Sequence, residues 1–285
     1  MAKYLDPKAD VTFKKVFGEH KNLVISLLNA LLPLDEGKQV ESIEYLPPEL
    51  VPETPLGKNT IVDVRCEETG GRKFIVEMQM EWRANFKQRV LLNASKAYVK
   101  QLPRGNEYNL LQPVYSLNLV NEIFEPDMEE YYHYYRLVHY LHSDKVLEGL
   151  HLVLVELPKF KAKNLTEKKM QVLWLRFLTE IGEATKEVPQ DLVDNPHVNE
   201  ALEIVEESAL SDEERARYDG FWDLVSREAT KEAEMKAAIA ERDAAKERLR
   251  QTVCNLKEVG MSVEQISKIT GLKPTEVETL WGCTK

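Results

Sequence analysis

Two β-branched, apolar runs on either side of a glycine turn constrain this chain most: Ile61-Val-Asp-Val-Arg-Cys-Glu-Glu, then Thr69-Gly-Gly-Arg, then Lys73-Phe-Ile-Val-Glu-Met-Gln-Met. The pattern predicts a β-hairpin. Side chains alternate across a strand, so Phe74, Val76, Met78 and Met80 share one face, and Ile75, Glu77 and Gln79 share the other. On the first strand Ile61, Asp63 and Arg65 alternate in the same way. An odd turn such as Thr69 to Gly71, or a bulge, puts Asp63 and Glu77 on one face, whereas a two-residue turn at Gly70 and Gly71 separates them. The expectation is that the two acids stand together.

Two carboxylates held close in apolar surroundings repel each other and resist desolvation, so they require a cation or a shared proton. A divalent metal is the natural partner, since Mg²⁺ takes oxygen ligands from one or two carboxylates, with water and substrate phosphate completing its shell. The plainer alternative is a solvated sheet face on which these acids pair with Arg65 or Lys73.

Charge and composition narrow the class. The chain has 285 residues, 43% hydrophobic and 30% charged, enough for a full core and an appendage. No apolar run is long enough to cross a bilayer, and the first residues lack the apolar core of a secretory signal, so a cytoplasmic location and no membrane partner are expected. Cys66, Cys254 and Cys283 fit no zinc spacing and read as reduced thiols. The net charge of -10 is localised: residues 1–110 carry 16 Lys and Arg against 15 Asp and Glu, while residues 183–223 carry 3 against 13. Net charge therefore argues neither for nor against a nucleic-acid partner.

Around the hairpin, Asp10 reads as the N-cap of a first helix carrying Val11, Phe13, Val16 and Phe17 inward, with Lys14 and Lys15 on other faces. Gly18 weakens that helix, and a second apolar periodicity runs from Leu23 to Leu32 before Pro33 stops it. Val40–Leu46 reads as a strand, followed by an irregular connection through Pro52, Pro55 and Gly57. Ala84–Leu102 turns helical, with Val90, Leu91, Ala94, Ala97 and Tyr98 inward. Arg89, Asn93, Lys96 and Lys100 recur at helical spacing as one stripe, either a solvated face or a contact for backbone phosphate. Pro113–Ile123, Tyr131–Leu141 and His151–Leu157 are predicted strands, and His139 and His142 read as structural.

Beyond Lys163 the chain reads as helical. Asp212–Val259 forms one long helix, poor in large apolar residues, whose imperfect heptad seam of Met235, Ala238, Ala245, Leu249 and Leu256 suggests a homo-oligomer contact. The tail is a two-helix unit: Ser262 and Gln265 make a capping box, Gly271 turns the chain and Pro274 opens the second helix. Glu276 and Glu278 on that second helix suit packing or assembly better than reading DNA bases. The expected organisation is a domain over 1–160, a helical extension over 161–260 and a small tail over 261–285.

Several of these segments, spread over about residues 6–160, resemble the PD-(D/E)XK nuclease-like transposases, also called recombination-promoting nucleases. They are Asp10-Val-Thr-Phe-Lys-Lys-Val-Phe, Ile61-Val-Asp-Val, Phe74-Ile-Val-Glu-Met-Gln, Phe86 with Arg89, and Tyr98-Val-Lys-Gln-Leu with Gly105 and Tyr108. The resemblance implies a mixed α/β fold with a restriction-endonuclease-like αβββαβ core and a C-terminal helical extension. It implies Asp63 as the central metal ligand, Glu77 as the second carboxylate, Asp10 as the acid of the first helix, and Gln79 where the motif has lysine. It further implies Mg²⁺ or Mn²⁺ as cofactor and DNA as substrate, with Arg89, Lys96 and Lys100 on the phosphate backbone. Gln79 departs from the motif because an amide carries no charge. The alternative is a degenerate nuclease fold that binds DNA or assembles without turnover.

Overall fold

The structure is a computed structural model that describes residues 3–50, 60–80, 85–102, 107–161 and 169–281. Cys283, Gly105, Ala84 and the Pro52–Gly57 connection lie outside the described residues. The chain divides into two compact units, Met1–Phe221 and Trp222–Lys285.

The first unit opens with α1 (Asp10–Glu19) and α2 (Lys21–Leu31), separated by His20 in an extended conformation. Next come β1 (Ile43–Tyr45), the short β2 (Glu49–Leu50) and β3 (Thr60–Ile61), then β4 (Val64–Glu68), β5 (Lys73–Gln79) and α3 (Phe86–Val99). β6 (Val114–Val120), β7 (Tyr132–His139) and β8 (His142–Glu156) follow, then α4 (Lys169–Glu180), α5 (Gln190–Val193) and α6 (Pro196–Ile204). Six strands form one mixed sheet in the order β1-β4-β5-β6-β8-β7, while β2 and β3 pair apart from it. β5, β6 and β8 are parallel to one another, and the remaining pairs are antiparallel. The expected mixed α/β fold and its αβββαβ order are present.

Alternation along the strands decides what covers each face. Phe74 and Val76 of β5, Leu117 and Leu119 of β6, and Val153 and Val155 of β8 pack against Phe17 of α1, Leu27 of α2, and Trp174 and Phe177 of α4. The Phe17 ring meets Trp174 edge-on at 5.3 Å, a favoured aromatic geometry. The opposite face carries Ile75 and Val114 beneath Ala94 and Ala97 of α3, whose small side chains let that helix lie close. Gly149 of β8, at φ +150, makes room for Tyr98: a Cβ there would stand 3.3 Å from the phenol ring.

Several boundaries move. Val40–Leu46 contracts to Ile43–Tyr45, and the strand placed at His151–Leu157 starts at His142, because β7 and β8 form a long hairpin. Leu91 is 49% exposed whereas Asn93 is 1% exposed, so α3 is rotated from the expected facing. Asp10 is the first residue of α1 rather than its cap; Ala9 holds that position without a side-chain hydrogen bond. The Thr12 hydroxyl donates to the Asp6 and Ala9 carbonyls. The helices after residue 160 share the core of the sheet domain, so the first compact unit runs on to Phe221.

The second unit begins within α7 (Asp212–Glu258) and adds α8 (Val263–Thr270) and α9 (Pro274–Trp281). The Ser262–Gln265 capping box is formed, and Gly271 takes the left-handed conformation at φ 73. Val253, Ile266 and Val277 make the small core of this unit.

Candidate functional site

The hairpin turn sets the register on which the site depends. Glu68 donates to the Arg72 carbonyl at 3.0 Å, leaving Thr69, Gly70 and Gly71 as a three-residue turn with Gly71 at φ 85. Val64 then pairs with Val76, and one step further Asp63 falls across from Glu77. The ladder stops there. Val62 leaves the six-stranded sheet, donating to the Pro48 carbonyl at 3.1 Å beside the β2–β3 pair. The Met78 N–H, at the position where Val62 would have continued the ladder, donates to Asp63 Oδ2 at 2.7 Å. The single long strand expected from Ile61 is thus broken at Val62–Asp63, and Asp63 stands at the corner.

Glu77 remains within β5, 5% exposed, on the face covered by α3. Its Oε1 accepts from Asn93 Nδ2 at 2.7 Å, and its Oε2 lies 3.8 Å from Arg89 Nη2. Arg89 also donates to Gln79 Oε1 and sits 4.9 Å above the Phe86 ring. Lys96 Nζ donates to the Leu50 carbonyl at 3.3 Å, and Lys100 lies just past the end of α3. The stripe on α3 therefore faces the end of β5 at Arg89 and Asn93, which excludes a wholly solvated face.

From the other side, Lys14 Nζ binds Asp10 Oδ1 at 2.6 Å and lies 4.0 Å from Asp63 Oδ1. Lys14 and Asp63 line a cavity of about 370 Å³ that also touches Tyr45 and Arg65. Burial pushes the Asp63 carboxyl up to about 6; the Met78 N–H and Lys14 oppose this and the Asp10 charge adds to it. Burial likewise pushes Glu77 up to about 7, against the Asn93 hydrogen bond and with the repulsion of Asp63. Each acid thus disfavours ionisation unless positive charge is supplied.

The sequence pattern did not single out Asn93, Lys14 or Asn118 for this site. Asn93 was legible only as a member of the stripe. Asn118 pairs with Glu77 in the β5–β6 register and is an isolated amide in an apolar strand, a visible signal. The Oδ1 atoms of Asn93 and Asn118 are buried without a hydrogen-bond partner among the described residues. Amide oxygens and carboxylates are alike oxygen donors of the kind a hard divalent cation takes. Among the described residues, no three His, Cys, Asp or Glu side chains converge as a metal cluster. The acid pair is thus the core of the candidate site, and Asp10 approaches it through Lys14.

A family model described as PD-(D/E)XK nuclease family transposase matches residues 7–224. Comparison with curated proteins and with solved structures gives no match.

Proposed function

The chain belongs to the PD-(D/E)XK nuclease family transposases, and from that membership and the geometry at the end of β5 we propose that it is a metal-dependent DNA endonuclease acting in recombination or transposition. One observation carries this reading. Asp63, at the corner before β4, and Glu77 of β5 are held by neutral donors at 2.7 Å, and have their nearest cationic partners among the described residues only at 3.8 Å and 4.0 Å. In this reading Asp63 and Glu77 hold Mg²⁺ or Mn²⁺. Such an ion, when bound, polarises a phosphate oxygen and lowers the pKa of its water.

The protein's own groups do the rest. The Met78 N–H and the Asn93 amide fix the two carboxylates before substrate arrives, which removes reorganisation from the reaction. Gln79, tied to Arg89, orients water by hydrogen bonding where the motif has lysine. Arg89, Lys96 and Lys100 supply positive charge along α3 to the phosphate backbone, and Lys14 beside Asp63 is a further cation for developing charge.

Purified protein with Mg²⁺ or Mn²⁺ is expected to nick plasmid DNA, and Asp63→Ala or Glu77→Ala to abolish it. Nicking that persists in both variants overturns the assignment. A second reading, a nuclease fold that binds or assembles without turnover, is favoured by Gln79 at the lysine position. Calorimetric titration separates the two: Asp63- and Glu77-dependent metal binding supports the enzyme, and no binding at millimolar metal supports the scaffold.

A further inference from the structure

In α7 the residues from Thr230 to Arg248 are exposed, and the large apolar side chains Met235 and Ile239 are 60% and 43% open. Positions three and four apart on one side of this segment form a heptad seam. Read outward from Ala237, the seam is self-complementary. Met235 and Ile239 lie equally far on either side, as do Glu232 and Arg242, Glu228 and Lys246, and Val225 and Leu249. A two-fold axis crossing the helix at Ala237 brings each residue of such a pair opposite the other in a second copy. Every layer then joins apolar to apolar or acid to base.

Two alternative arrangements fail on charge. A parallel, in-register pair would stack Glu228, Glu232, Arg242 and Lys246 each on its own copy, and like charges facing each other in a seam are strongly disfavoured. The neighbouring seam through Ala238 and Ala245, placed antiparallel with Met235 opposite Ala238, would set Lys231 against Arg242. In the Ala237-centred register Ala238 and Ala245 lie beside the seam, where small side chains admit close approach. The pairs that Glu232 and Arg242 make along their own helix, with Lys236 at 2.7 Å and Asp243 at 2.8 Å, are exposed contacts of small net value that dimerisation can exchange.

We propose that α7 is a homodimerisation helix, and that two copies of this chain pair antiparallel about Ala237 through this seam. The test uses the full chain in sedimentation or light scattering, with circular dichroism to verify folding. The wild type is expected at twice the chain mass. Glu228→Lys with Glu232→Arg, or Arg242→Glu with Lys246→Glu, puts like charges in all the polar layers and raises the dimer Kd at least about 100-fold. All four substitutions together restore every opposite-charge layer and the dimer, a recovery that a parallel pair or an unrelated contact would not show. A monomeric wild type, a dimer that survives either double variant, or a fourfold variant that stays monomeric overturns the proposal.

Discussion

At the buried Glu77 and the half-buried Asp63, carboxyl protons are coupled to stability. Both carboxyls are raised, to about 6 and about 7, chiefly by burial, so the folded chain binds protons more tightly than the unfolded one. Without metal, their contribution is most favourable below the unfolded values near ~4 and is lost as pH rises through 6 and 7. Each pKa unit is worth about 1.4 kcal/mol, so the loss at Glu77 alone is on the order of 3 kcal/mol. Glu77→Gln is therefore expected to melt higher than wild type above pH 7 in chelator, with a flatter dependence on pH. Mg²⁺ is expected to stabilise wild type and not the variant. Thermal melts from pH 5 to 8 check both, and equal slopes would refute the coupling. The acids and the Arg89 stripe were legible as residues because period two and period 3.6 leave marks in sequence. Asn93 was not legible as the partner of Glu77, since its contact depends on how α3 is rotated over the sheet.

Among the elements, the start of α7 shows a cap reinforced from a distant part of the chain. The Ser211 N–H donates to Glu214 Oε2 at 2.7 Å, and Lys15 of α1 pairs with the same carboxylate at 2.9 Å. The Lys15 contact and the Ser211 N–H hold Glu214 down at about 2. The stabilisation is present above the unfolded value and lost as pH falls toward 2. Glu214→Gln is expected to cost about 1 kcal/mol at pH 7 and nothing near pH 2, read by denaturant unfolding at the two pH values. The attachment of this helix start to Lys15, 199 residues away, was not legible in sequence. Likewise the alternation of Ile61, Asp63 and Arg65 predicted one strand. Long-range pairing overrode it, because Val62 finds Pro48 and frees Asp63 to take the Met78 N–H.

At the scale of the whole molecule, two units carry two separate cores, one around the six-stranded sheet and one around Val253, Ile266 and Val277. Ile266→Ala removes a fully buried side chain from the small core, which ordinarily costs about 2–5 kcal/mol. Hydrogen exchange is expected to quicken across residues 253–281 and to stay unchanged in β5 and β6; faster exchange in the sheet would show the cores to be coupled. The amino-acid sequence by itself determined the elements of both units: the hairpin, the helices flanking it, the length of α7, and the capping box of the tail. Each is set by local periodicity, turn chemistry or capping within a few residues. The tertiary structure alone decided where the first unit ends, that the sheet strand breaks at Asp63, and that Asn93 and Lys14 reach the two acids. Those outcomes follow from packing and hydrogen bonds between segments far apart in the chain, which local periodicity does not encode.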